Sequence, residues 1–411
     1  YTTAFRFTLY TLVGIIGVLV GLEIPLLMRI LRDRYEFKDV VANVLTFDYI
    51  GALGASLVFP LLLVPKLGLV RAALLFGLIN AAVALWSTWL FRDRLGARRQ
   101  LAAACLATGV LLGLGMWRAA DITRIAEEEL YADDVILTRD TRYQRIVLTA
   151  WKDDLRLFLN GHLQFSSRDE YRYHEALVHP GLAALPGARR VLVLGGGDGL
   201  AVREILRYPS VKEVVVVDLD AEMTRLFATH PRLVQLNAGA LRDPRVTIVN
   251  DDAFRWLDPE SNREQFDFVV VDFPDPSNYA VGKLYTVAFY TLLSKHLSRD
   301  GLAVVQSTSP LFARRSYWSI VETLKKAGMA TSPYHLYVPS FGEWGFVLAG
   351  RGAAWTPPVT LPSGLRYLTV REIPQLFTFA TDMLPVPAEA NRLNDQALVR
   401  YYEEEWSRIN R

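Results

Sequence analysis

Four apolar runs in the second half of the chain each lead into a carboxylate. Asp198 follows Val191-Leu-Val-Leu194 inside the loop Gly195-Gly-Gly-Asp-Gly199. Asp218 closes the run Glu213-Val-Val-Val-Val217, Asp251 and Asp252 follow Val246–Val249, and Asp272 follows Phe266–Val271. A carboxylate accepts hydrogen bonds from hydroxyl or amino groups, attracts a cation, and takes up a proton when one is offered. Any single acid here could be a solvated turn residue. Four at equivalent strand ends form a constellation, because ligands of open parallel sheets bind beyond the carboxyl ends of the strands.

The spacing narrows the chemistry. Asp218 lies about twenty residues past the glycines, the usual place for an acid that accepts both ribose hydroxyls of a nucleoside. That spacing fits dinucleotide and S-adenosyl ligands equally. The loop itself reads Gly-Gly-Gly-Asp-Gly rather than Gly-x-Gly-x-x-Gly, and Asp198 would repel a pyrophosphate by several kcal/mol if desolvated. Asp252 is placed either to accept from an adenine amino group or to cap the helix that follows. In Asp272-Phe-Pro-Asp-Pro276 the two prolines stiffen the loop. Two acids there, beside a sulfonium nucleoside, suit a cationic amine, and one of them can take its proton; an Asx turn is the plainer reading.

These acids must be carried by alternating strands and helices. Strands are expected at Val191–Leu194, Glu213–Val217, Val246–Val249, Phe266–Val271, Gly301–Gln306 and within 334–349. Helices are expected at Ala201–Tyr208, 221–229, 286–298 and 314–327. Such alternation implies a mostly parallel sheet covered on both faces. Upstream, residues 122–165 read as short strands, with Asn160-Gly161 as a hairpin turn before Leu163-Gln-Phe165, and a helix spans Glu170–Leu182. The tail from 351 starts Pro-rich and ends in a charged, aromatic helix at Leu398–Ile409.

The first 118 residues differ in kind. They hold four apolar stretches, roughly 8–31, 45–65, 69–91 and 100–117, each long enough at ~1.5 Å per residue to cross a ~30 Å hydrocarbon layer. Arg clusters and Trp86, Trp89 and Trp117 flank them, which favours membrane helices over a buried soluble core. Glu23, Asp48, Asn80 and Pro60 fall inside these spans, as a functional site or as helix–helix glue. Arg29, Arg32, Arg34, Lys38, Arg92, Arg94, Arg98 and Arg99 place two loops in the cytoplasm by the positive-inside rule. Four full spans then put the C-terminal part on the opposite face, and a re-entrant segment would reverse that. The chain begins at Tyr1 rather than methionine, so further upstream spans remain an expectation.

Charge and cysteine content exclude other classes. Residues 1–118 carry about +6 and the rest about −4, within a net charge of +2. An acidic C-terminal part argues against nucleic acid as a partner. The single cysteine, Cys105, gives neither a disulfide framework nor a thiolate metal site, and the six histidines lack ligand spacing.

The order and spacing of Asp169-Glu-Tyr-Arg-Tyr-His-Glu175, Gly195–Gly199, Val217-Asp-Leu-Asp220, Asp251-Asp252 and Asp272-x-x-Asp-Pro276 resemble the polyamine aminopropyltransferases, the spermidine synthase family, over roughly residues 140–350. Gly364-Leu-Arg-Tyr-Leu368 is similar to that family's C-terminal segment, and a bacterial branch of the family has multi-span N-termini. The resemblance implies transfer of the aminopropyl group of decarboxylated S-adenosylmethionine to an amine such as putrescine, releasing 5′-methylthioadenosine without a metal. It implies Asp272 as general base and Asp275 as amine partner. Tyr173 would wall the aminopropyl chain, His174 and Asp198 would hold an amine, and Gln164 would meet the diamine end. Gln144, Asp218, Asp252 and Ala253 would bind the nucleoside. A homodimer is implied by the resemblance alone.

The sequence departs from the family at Asp218, where glutamate is more usual, and at Asn160-Gly-His162. It also departs in the loop Ser277–Lys283 and at Pro339-Ser-Phe341, where a tyrosine is expected. The expected fold class is therefore an N-terminal transmembrane helix bundle (1–118), a small β-strand region (119–185), an α/β Rossmann-like, class I methyltransferase-like domain (186–350) and a C-terminal extension (351–411). A multi-pass location in the cell membrane follows. An S-adenosylmethionine methyltransferase and a non-catalytic polyamine sensor or transporter are the competing readings.

Overall fold

The computed structural model describes residues 2–31, 36–92, 95–119, 131–258, 260, 262–352 and 355–409. The expectations placed on Arg32, Arg34, Arg94 and segment 122–130 lie outside these residues. The chain divides into two compact units, Tyr1–Leu130 and Tyr131–Arg411.

The first unit is helical: α1 (Thr2–Leu31), α2 (Phe37–Val58), α3 (Val64–Leu90) and α4 (Arg98–Trp117). All four are long and apolar enough to cross a membrane, the second counted as Lys38–Leu63. α2 starts eight residues before the expected position 45. Its polar opening, with Asp39 in the first turn, is read correctly as helix once the positive helix N-terminus is considered. Pro60, which has no N–H to donate, sits in a one-turn π-helix at Phe59–Leu63 that leads into α3. α3 and α4 approach closely where small residues allow it, Gly77 facing Leu112 and Gly115 facing Leu74. Glu23, Asn43 and Asp48 line one cleft of about 560 Å³ between α1 and α2.

The second unit begins with an antiparallel meander of β1 (Asp134–Asp140), β2 (Arg145–Trp151), β3 (Asp154–Leu159) and β4 (His162–Ser166). Asn160 and Gly161 have φ of 51° and 83°, as a two-residue type I′ hairpin turn requires. Helix α5 (Glu170–Leu182) leads into a seven-stranded sheet of order β10-β11-β9-β8-β5-β6-β7. Its five parallel strands are β5 (Arg190–Gly195), β6 (Glu213–Val217), β7 (Val246–Val249), β8 (Phe266–Asp272) and β9 (Leu297–Gln306). The hairpin of β10 (Ala330–Val338) and β11 (Gly342–Gly350) adds an antiparallel edge.

The valine runs are continuous because both faces of the sheet are covered. Val191, Val193, Val214, Val216, Phe268 and Val270 pack on one side with Leu177 of α5. Leu192, Leu194, Val215, Val217, Val269 and Val271 pack on the other with Phe289 of α11 (Val287–Lys295) and Ile320 of α12 (Arg314–Lys326). Each such side chain fully buried is worth roughly 1.5–3 kcal/mol.

Some boundaries differ from the sequence reading. The helix expected at 201–208 is the short α6 (Leu200–Ile205). After α7 (Ala221–Thr229), three further short helices had no clear periodic signal: α8 (Pro231–Leu236), α9 (Ala253–Trp256) and α10 (Tyr279–Gly282). Four to six residues are too few to show a 3.6-residue period. The tail carries α13 (Ile373–Leu376) and α14 (Ala397–Ile409).

Candidate active site

Strand register gathers the acids. β5 lies between β6 and β8, and Gly195 is paired with Asp272, so the glycine loop and the Asp272 loop leave the sheet side by side. Asp218 leaves β6 on the other flank. The Gly197 N–H donates to Asp218 Oδ2 at 3.0 Å, and the Asp220 N–H donates to Oδ1 at 2.8 Å. A Cβ at position 197 would stand 2.5 Å from that same Oδ2, so only glycine admits the carboxylate over the loop. Burial pushes Asp218 up to about 6, against the two backbone donors. Gln144 and Thr141 both donate to Asp220 Oδ2, at 3.0 and 2.8 Å, which brings the β1–β2 turn to this edge.

Asp198 accepts from the Leu200 N–H at 2.9 Å, one residue before Gly199, which opens α6. Burial raises it to about 6, and the neighbouring His174 opposes that rise. His174 Nδ1 lies 2.8 Å from both the carbonyl oxygen and Oε2 of Glu170, two acceptors, so Nδ1 carries the proton. Arg203 donates to both Glu170 oxygens at 2.9 Å. Burial lowers the affinity of His174 for a second proton, but Glu170 more than offsets it and the imidazole sits above its ordinary value. Glu170 and Arg203 were not anticipated; the acid inside the Asp169–Glu175 motif was the available signal.

Tyr173 donates its hydroxyl to Asp272 Oδ1 at 2.6 Å. Asp272 is raised by burial, with His174 and Tyr173 pulling the other way. The Tyr173 ring meets Phe346 at 5.1 Å and Phe341 at 6.3 Å, and Phe341 meets Trp344 at 5.4 Å. Position 341 thus contributes an aromatic wall without a hydroxyl. Asp275 accepts from Gln306 Nε2 at 3.1 Å and from Thr308 Oγ1 at 3.0 Å. Thr308 is fully buried with φ of 54°, a strained conformation for a β-branched residue that places its hydroxyl on that carboxylate.

Asp252 is engaged by the protein on both oxygens. Oδ1 accepts from the Phe254 N–H at 2.8 Å, which caps α9, and Oδ2 pairs with Lys283 at 2.6 Å. Burial raises its pKa, but Lys283 and the cap outweigh it and the group lies below its ordinary value. The helix-cap role is therefore present, with second lone pairs left for a ligand. Ala253, buried, is the first residue of α9. Gln164 donates to the His162 carbonyl at 3.1 Å on β4. Among the described residues no group of three or more His, Cys, Asp or Glu is arranged to hold a metal ion.

A parallel sheet with acids at its carboxyl edge and an antiparallel terminal hairpin defines the class I methyltransferase-like Rossmann architecture. The sequence model of the spermine/spermidine synthase domain matches residues 170–354. Polyamine aminopropyltransferase 2 of Ralstonia nicotianae is 55% identical across 99% of this chain and 81% of its own length. Polyamine aminopropyltransferase of Leptospira interrogans is 52% identical across 98% and 81%. A spermidine synthase solved in complex with the transition-state analogue AdoDATO superposes with a TM-score of 0.56 at 24% identity, covering 60% of this chain and 86% of that one. The spermidine synthase from Thermotoga maritima gives 0.53 at 23% identity. The chain belongs to the spermine/spermidine synthase family and is an aminopropyltransferase.

Proposed function

We propose that this protein is a membrane-anchored, multi-pass aminopropyltransferase that moves the aminopropyl group of decarboxylated S-adenosylmethionine to a polyamine such as putrescine. The observation that carries the reading is the part-buried Tyr173–Asp272 hydrogen bond, with Asp272 and Asp198 leaving adjoining strands side by side. An alkylammonium has a pKa near ~10 and no free lone pair at neutral pH. Asp272 Oδ2 takes a proton from the acceptor nitrogen, and that nitrogen attacks the carbon next to the sulfonium. The new N–C bond forms as the C–S bond breaks, and neutral methylthioadenosine leaves. Alignment of nitrogen and carbon supplies much of the remaining rate.

Asp198 selects the donor. It attracts the free ammonium of the decarboxylated nucleoside and repels the carboxylate that intact S-adenosylmethionine retains, which disfavours a methyltransferase. Asp218 takes the ribose hydroxyls with Gln144 nearby, Asp252 and Ala253 flank the adenine, and His174, Gln164 and Asp275 line the amine path. The homodimer stays an inference from family resemblance.

The membrane reading is supported by four long apolar helices whose described side chains are largely exposed, as with Leu19 at 63% and Leu111 at 70% exposure. The test is turnover by detergent-purified protein. Methylthioadenosine must appear from the decarboxylated donor only when a polyamine is present. No product with any polyamine would sink the proposal.

A further inference from the structure

Asp169 stands just before α5, where an aspartate ordinarily accepts from the amides of its own helix. Its carboxylate makes no such bond. Asp169 is buried, and both its oxygens serve the turn between β10 and β11 instead, 171 positions away. Oδ2 accepts from the Ser340 N–H at 2.7 Å, and Oδ1 accepts from the Ser340 hydroxyl at 2.9 Å. One helical turn on, Arg172 Nε donates to the Tyr337 carbonyl at 2.9 Å near the end of β10, with its guanidinium 4.0 Å over the Tyr367 ring. The start of α5 therefore grips this turn at two points.

What the turn carries is Phe341. Its N–H closes the turn on the Val338 carbonyl at 3.0 Å, and its ring meets Tyr173 at 6.3 Å and Trp344 at 5.4 Å. The next residue, Gly342, has φ of 82°, and a Cβ there would stand 3.0 Å from the Phe312 ring. The three rings run between the two acids of the Asp272–Pro276 loop. Tyr173 donates to Asp272 at one end; at the other, Trp344 Nε1 donates to Gln306 Oε1 at 3.2 Å, and Gln306 Nε2 donates to Asp275. A polyamine has ammonium groups at its ends and methylenes between. An apolar wall with an acid at either end matches that pattern.

We propose that Asp169 is a positioning residue for the acceptor amine: by pinning Ser340 it holds Phe341 across from Tyr173 and completes the apolar wall on which the acceptor's methylene chain lies. It acts through the turn and not on the substrate. Pro339 stiffens the chain before Ser340, so a shift at Ser340 passes to Phe341 rather than being absorbed. The groups assigned to the nucleoside, Asp218 and Asp252, leave other strands, so the pin bears on one substrate of the two. This inference rests on the aminopropyltransferase reading above.

The experiment is steady-state kinetics of the full chain in detergent, with decarboxylated S-adenosylmethionine and putrescine or spermidine. Asp169→Asn keeps the size of the side chain but sets an N–H₂ against one of the two Ser340 donors. Loss of a hydrogen bond to a charged group should raise the KM for the amine roughly tenfold, with the donor KM unchanged. Ser340→Ala removes the hydroxyl, keeps the N–H, and should act in the same direction more weakly. Phe341→Ala removes the wall itself and should raise the amine KM at least as far. In the double variant Asp169→Asn/Phe341→Ala the amine KM should match that of Phe341→Ala alone, because the pin has no ring left to hold. An unchanged amine KM in Asp169→Asn and Ser340→Ala overturns the inference while leaving the reaction intact. So does an equal rise in both KM values, or a double variant whose effect is the product of the two single ones, since either marks a general structural role. A wild-type protein that transfers nothing overturns the aminopropyltransferase reading itself.

Discussion

Val191–Leu194 and Ile15–Val20 are both strongly apolar, but the first stretch is fully buried while Ile15, Ile16, Val18, Leu19 and Val20 are all more than half exposed. The second unit makes its own interior from a two-faced sheet. The described helices of the first unit turn large apolar side chains outward, an exposed apolar surface of the kind that marks a protein or membrane contact. The acids divide the same way. In the first unit Glu23 and Asp48 share a cleft between two helices; in the second, Asp198, Asp218, Asp272 and Asp275 converge at the carboxyl edge of the sheet. The difference teaches where chemistry and solvent preference reside. One unit gathers its acids at the edge of a self-made core, and the other, on the membrane reading proposed above, anchors the chain.

The contrast is tested hardest at Asp272. Asp272→Asn removes the proton acceptor and should lower kcat about 10³-fold, while nucleoside binding, followed by calorimetry, persists. Turnover near wild type would take the base role away from this residue. Asp198→Asn comes next and should weaken binding of the decarboxylated donor about 30-fold or more, narrowing the preference over intact S-adenosylmethionine. The same change should raise the unfolding midpoint by a few degrees at pH 7.5. The sign follows from linkage: Asp198 titrates near 6 in the folded chain against 3.8 ordinarily. Its ionisation therefore costs stability above about pH 6, and the gain from Asn should fade as pH falls toward 4.

A milder probe is pH itself. Asp198 and Asp218 both stand near 6, and each must be ionised to attract the donor ammonium or accept from ribose. With both ionisations required, donor kcat/KM should climb up to roughly a hundredfold per pH unit well below 6 and level off just above it. A profile flat down to pH 4.5 would deny these acids their place in donor binding.

The smallest effect should come from the largest deletion. A chain starting at Tyr131 should be recovered without detergent and keep kcat within about threefold, since a domain with its own core can fold alone. The full chain should resist extraction by carbonate at high pH. Loss of all activity in the shortened chain would erase the division of labour proposed here.

Much of this was readable in the chain because it rests on short-range patterns. Valine runs ending in acids, an Asn-Gly turn and long apolar stretches each report local structure directly. The family motif brought in His174, Tyr173 and Asp275. What stayed hidden depends on distant residues meeting. Gln306 reads as a strand end and Thr308 as an ordinary loop residue until its left-handed φ is seen. Asn391 is 106 positions from Tyr285, and nothing near either residue announces that this buried amide ties the tail to the segment after the Asp272 loop. The start of α2 was missed because its first turns are polar, and polarity at a helix start is a dipole effect rather than a sign of loop.

The Tyr173–Asp272 hydrogen bond also bears on waste. With Oδ1 engaged, the carboxylate has one oxygen to offer, and it is a weak base for either partner. From an ordinary carboxylate the uphill gap to an alkylammonium is roughly six pK units and to water nearly twelve; burial of Asp272 narrows both and leaves the gap to water the larger by the same margin. A pocket of acids draws the charged amine in, whereas a water molecule gains no such attraction and cannot be ionised there. The feebleness of the base therefore works as a safeguard: an activated sulfonium can wait in the site for its amine without being hydrolysed.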